Sequence, residues 1–147
     1  MSQDLHRRAM ALVDEARVCE MQGRFEAARE AYEEAAGLEQ RCVDAASANA
    51  PRTRDILRVS AVSMWLEAGR YDDAEALAQR CLFEPVLPGF HRELHELLME
   101  TRRRKSELRG LATEPESRAS ALTATLRKVE EELGAGKVRL WAIRSAA

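Results

Sequence analysis

A short phrase occurs twice in this chain and limits the fold more than any other feature: glycine, arginine, an aromatic residue and an acid, then alanines at helical spacing. The first copy runs Gly23-Arg24-Phe25-Glu26-Ala27-Ala28 and on through Tyr32 to Ala35. The second runs Gly69-Arg70-Tyr71-Asp72-Asp73-Ala74 and on through Ala78 to Cys81. Each copy follows an amphipathic stretch, so each predicts a helix, a glycine turn and a second helix. Glycine enters such a turn without steric cost because it has no Cβ. The aromatic residue wedges the two helices, and the small residues let their backbones close up. The expected fold is all-α, built from antiparallel helix pairs, an architecture whose usual work is binding other proteins.

The first helix is expected from about Asp4 to Gln22, where Leu5, Ala9, Leu12, Ala16 and Cys19 make one apolar stripe. Gly23 ends it in a left-handed cap. The second helix starts near Phe25 and continues through Leu38, Cys42 and Ala45, stopping before Ala50-Pro51 because proline disfavours helical geometry in the residue ahead of it. The third, opened by Pro51 or Thr53 and running from Asp55 to Ala68, is apolar almost all round, as a buried central helix is. The fourth runs from Tyr71 to Leu82 or Phe83, and Pro85 and Pro88-Gly89 enforce a loop after it.

A fifth helix begins near Phe90 and turns Leu94, Leu97, Leu98 and Thr101 inward. A sixth opens at Thr113-Glu114-Pro115-Glu116, where proline and acids suit a first turn. Its residues Leu122, Leu126, Val129 and Leu133 form a narrow seam fitted to hairpin or coiled-coil packing, and Gly134-Ala135-Gly136 closes it. The chain thus divides into two helix pairs over 4–83, a C-terminal helical hairpin or cap over 89–134, and a tail over 137–147. That tail, with Leu140 and Trp141, has three possible fates: packing on its own helices, docking as a strand on a partner, or disorder.

The paired phrases resemble the tetratricopeptide repeat over roughly Ala9 to Leu82. Ala16, Gly23, Phe25, Ala28, Tyr32 and Ala35 fill the family's small, turn and aromatic positions in the first copy. Gly69, Tyr71, Ala74 and Cys81 do so in the second, where Val62 and Ala78 depart from the pattern. The two glycines lie 46 residues apart, against a family period of about 34, so either the second helix is elongated or the linker from Ser47 to Pro51 is an insertion. The resemblance implies an α-solenoid with a concave groove lined by the first helix of each pair. Its groove residues would be Val13, Arg17, Glu20 and Met21, then Ile56, Ser60, Ser63 and Glu67. For Ile56 and Ser63, plain packing against a neighbouring helix is the alternative. The family's clamp for a terminal carboxylate uses Lys and Asn at such positions, and Val13, Arg17, Val59 and Ser63 do not supply it.

Composition narrows the function further. The formal net charge of −2 argues against a general electrostatic hold on nucleic acid. The one dense basic run, Arg102-Arg103-Arg104-Lys105, lacks stacking aromatics and is flanked by Glu93, Glu96, Glu100 and Glu107 at helical spacing. Only Lys105, Lys128 and Lys137 among the basic residues are lysines, an arginine preference that fits a GC-rich bacterial genome. No apolar run reaches the ~18–20 residues of a membrane span, and Met1 to Arg8 show no signal-peptide core. Cys19, Cys42 and Cys81 are odd in number and unclustered, as reduced cytoplasmic thiols are. His91 and His95 lie four apart on a helix without a visible third ligand, so they are expected as surface residues. No nucleophile, base and orienting group converge, and the glycines are isolated helix stops. No enzyme activity, metal or cofactor is expected. The function expected is a cytoplasmic adaptor that binds a protein partner through its groove or tail. The alternatives are a homo-oligomeric scaffold joined through the Leu122 to Leu133 seam, and a small regulator touching nucleic acid through Arg102 to Lys105.

Overall fold

Both copies of the repeated phrase fold into the same turn. In the computed structural model the backbone is described for residues 2–145; the side chains of 2, 113–118, 132, 133 and 135–145 lie outside the described residues. Gly23 and Gly69 each adopt φ of 72°, a region that costs a residue with a Cβ about 1–2 kcal/mol. The Gly23 N–H donates to the Glu20 carbonyl at 2.9 Å and the Arg24 N–H to the Cys19 carbonyl at 2.9 Å. Gly69 and Arg70 repeat the pair of bonds to Leu66 and Trp65, both at 3.0 Å. These bonds satisfy carbonyls that a helix end leaves without partners. Arg24 and Arg70 then open the following helices with near-identical φ, ψ of −89°, 65° and −87°, 66°.

The described residues are all-helical: α1 (Ser2–Met21), α2 (Phe25–Ala45), α3 (Pro51–Glu67), α4 (Tyr71–Phe83) and α5 (Pro88–Ser145). Met1–Lys105 form one compact unit and Ser106–Ala147 another. In the first unit α1 packs on α2, α2 on α3 and α3 on α4. The wide offset between the two glycines has a concrete cause, because α2 holds 21 residues where α4 holds 13. The added turns let α2 serve two clusters. Its first part joins Ala9, Val13, Ala16 and Cys19 of α1 through Ala28, Tyr32 and Ala35. Its end carries Cys42 and Val43 to Ala61 and Val62 of α3, Leu77 and Cys81 of α4, and Leu94 and Leu98 of α5. Ala16, Ala35, Ala61, Ala74 and Ala78 have no exposed surface, so neighbouring backbones approach closely.

α3 contributes to both clusters, as expected of a central helix. Burial is not complete all round, because Ile56 stays 46% exposed. Trp65 is partly buried against both clusters; its indole N–H donates to Gln40 Oε1 at 2.9 Å, and the Arg70 guanidinium lies 5.9 Å from the ring centre. The start of α3 also buries charge: Asp55 is 0% and Arg58 2% exposed. Arg58 donates to Asp55 Oδ1 at 3.1 Å, and the Leu87 N–H donates to Asp55 Oδ2 at 2.9 Å. Arg54 and Arg58 both donate to the Pro85 carbonyl, at 3.0 and 3.2 Å, and Arg58 also pairs with Glu84. The loop between α4 and α5 is thereby tied to α3.

The C-terminal third differs from the sequence-based expectation. A helix pair over 89–134 was expected, followed by a tail over 137–147 whose fate was left open among packing, docking and disorder; α5 instead runs unbroken from Pro88 to Ser145. Proline and glycine weaken a helix interior by about 3 and about 1 kcal/mol without forbidding it, and the neighbours of Pro115, Gly134 and Gly136 are mostly good helix formers. In the second unit Leu122 and Leu126 are 64% and 62% exposed and Val129 is 43% exposed, so the seam lies open along one helix. Leu133 of that seam lies outside the described side chains.

Candidate functional site

A groove of about 580 Å³ lies against α1, α3 and the start of α5, with Tyr32 of α2 also lining it. The α1 wall is Met10, Val13, Asp14 and Arg17, and the α3 wall is Ile56, Val59, Ser60, Ser63 and Met64. Phe90 and Glu93 complete it from α5. Both long walls follow steps of three and four, which bring one face of each helix to the groove. The floor is apolar: Val13, Met64 and Tyr32 are buried, while Ile56 remains accessible. Met10, Val59 and Phe90 add apolar surface, and Asp14, Arg17, Ser60, Ser63 and Glu93 form the polar part of the lining.

One end of the groove is acidic. The Tyr32 hydroxyl donates to Glu20 Oε2 over a long 3.4 Å. Burial first, then the charges of Glu20 and Glu67, hold the Tyr32 proton above the ordinary tyrosine range, with Arg17 acting in the opposite sense. Glu67 in turn lies 3.7 Å from Arg104, and Arg17 lies 3.6 Å from Asp14.

Of the residues expected to line a groove, Val13, Arg17, Ser60 and Ser63 come together with Ile56. Glu20 and Glu67 stand at the Tyr32 end rather than on the lining. Met21 is 80% exposed and is not part of the groove. The side chains of Leu140 and Trp141 lie outside the described residues. Met10, Phe90 and Glu93 were not anticipated. Met10 shares the stripe of Val13 and Arg17, so periodicity held the signal; Phe90 and Glu93 require α5 to be placed beside α1 and α3.

The basic run is held by acids. Arg102 and Lys105 both meet Glu75 of α4 at 2.8 Å, and Lys105 also meets Asp72 at 2.6 Å. Arg103 and Arg104 meet Glu100 at 2.6 and 2.8 Å. Glu100 matches the expected pairing at helical spacing, whereas Asp72 and Glu75 come from another helix. Hydrogen bonds from Arg103, then Arg104, hold the Glu100 carboxyl down at about 2, and those from Lys105 and Arg102 lower Glu75. A carboxyl lowered on folding stabilises the fold above its ordinary value and loses that contribution as pH falls through its folded value. The stability difference between wild type and Glu100→Gln, measured by urea unfolding, is therefore expected to shrink as pH falls from 4.5 towards about 2. A difference that stays constant over that range contradicts the pairing.

Cys19, Cys42 and Cys81 are buried and not joined in disulfides, and burial raises the Cys81 thiol, which disfavours the reactive thiolate. His91 and His95 are exposed. Among the described residues no group of three or more His, Cys, Asp or Glu side chains is placed to hold a metal ion, and no helix is long and apolar enough to cross a membrane. Compared with known proteins, the chain matches no family model, no curated protein and no solved structure.

Proposed function

We propose that this chain is a non-catalytic protein-interaction module, a tetratricopeptide-like helical repeat that holds a segment of a partner protein in its α1/α3/α5 groove. The groove carries the proposal: helices distant in sequence share one concavity with an apolar floor and a polar margin. Ile56, 46% exposed, leaves an apolar side chain accessible inside that concavity beside its polar margin. A cytoplasmic setting, with the three cysteines reduced, belongs to the same proposal.

The test is a photo-crosslinking amino acid placed at Ser63, on the groove wall, and at Leu126, on the seam, in chains expressed in the native host. The expected result is a discrete adduct with a second protein from Ser63. A Ser63 variant that forms no adduct contradicts the proposal. A second reading is self-association through the seam, favoured by the exposure of Leu122, Leu126 and Val129. An adduct between two copies of the chain, formed from Leu126 alone, would establish that reading in its place. Nucleic-acid contact through Arg102 to Lys105 finds no comparable support, since Glu75, Glu100 and Asp72 already engage those charges.

A further inference from the structure

We infer that the segment this groove accepts is cationic as well as apolar: an amphipathic stretch of a partner protein with Lys or Arg beside its apolar side chains. This rests on the groove being the working surface, as proposed above. Carboxylates outnumber guanidiniums around it. Asp14 and Glu93 are on the lining with Arg17 the single basic residue there, and Glu20 and Glu67 add their charge at the Tyr32 end. Arg104 reaches Glu67 at 3.7 Å. Arg17 spans 3.6 Å to Asp14 with both side chains largely exposed, a pair of the kind worth little in water. Glu93 has no ion-pair partner among the described residues.

An apolar segment seated on Val59, Met64 and Phe90 would exclude water from these carboxylates. Removing water from an unpaired charge is costly, and an opposite charge carried by the ligand offsets that cost. A Lys or Arg beside the apolar side chains does this, whereas an acidic segment would bring like charges together as the dielectric falls. Burial contributes most to the raised Tyr32 proton, and the charges of the same Glu20 and Glu67 add to it.

The probe is a synthetic amphipathic peptide of leucine and lysine, compared with the same pattern in leucine and glutamate, titrated by fluorescence anisotropy against the full chain. Saturable binding of the lysine peptide is expected. It should weaken about tenfold in the Glu20→Lys/Glu93→Lys chain, since two favourable contacts become unfavourable. Glu30→Lys, an exposed reversal on α2, should leave it unchanged and so control for a charge reversal placed off the groove. Ile56→Ser should weaken both its affinity and its selectivity over the glutamate peptide. No saturable binding, equal binding of the glutamate peptide, or an equal effect of Glu30→Lys overturns the cationic assignment. If the groove reversal is silent while Ile56→Ser weakens binding, the groove stands and the charge assignment falls. If both are silent, the peptide binds elsewhere and the groove itself is refuted as its site.

Discussion

Replacing Asp55 with alanine is expected to cost about 3–5 kcal/mol of stability, because it breaks a buried ion pair from one side. Asp55 has no exposed surface and Arg58 almost none. Without the carboxylate, the Arg58 guanidinium keeps the Pro85 carbonyl and Glu84 but loses its buried counter-charge. The Leu87 N–H loses its acceptor as well. Urea unfolding reads the global loss, and amide exchange at Leu87 reads the local one. Asp55→Asn, which retains an acceptor oxygen, should fall between wild type and alanine. A loss below about 1 kcal/mol would mean that the α4–α5 loop is held by packing rather than by this charge cluster.

Leu94→Ala is expected to cost about 2–5 kcal/mol, the range for a fully buried leucine truncated in a core that cannot collapse around the space. Leu94 has no exposed surface and joins the cluster of Leu57, Val62 and Leu77. It also fixes the start of α5, where Phe90 lies one turn earlier and Glu93 adjoins it, both on the groove. His95→Ala, on the exposed side of the same turn, should stay within about 0.5 kcal/mol of wild type. Thermal or urea unfolding of the two variants together separates the core contribution from helix propensity. Equal effects would place Leu94 outside the packing that anchors α5.

The local turns were fully legible because they depend on neighbours in sequence. Gly23 and Gly69 take the left-handed cap that their position implied, with the same hydrogen bonds. The helical stripes were legible for the same reason, and they brought Val13, Arg17, Ser60 and Ser63 to one surface. What sequence concealed was non-local. Nothing in the spacing of Asp55 and Arg58 distinguishes a buried pair from a solvated one; that depends on the Pro85 carbonyl and Leu87 N–H arriving from another segment. The acids that engage Arg102 and Lys105 sit about 30 positions earlier, on α4. The hairpin expected in the C-terminal third rested on Pro115 opening a new helix and the two glycines closing it. Their cost is finite, and α5 continues through all three positions.

The central claim, that the groove rather than the seam is the working surface, is tested most directly by capturing the native partner with three baits. These are the wild-type chain, Ser63→Trp, which fills the groove, and Leu126→Asp, which charges the seam; each is first shown to keep its helical circular dichroism and unfolding midpoint. The protein held by wild type is expected to be lost with Ser63→Trp and retained with Leu126→Asp. Retention with the filled groove and loss with the charged seam would contradict the claim and move the binding surface to the second unit.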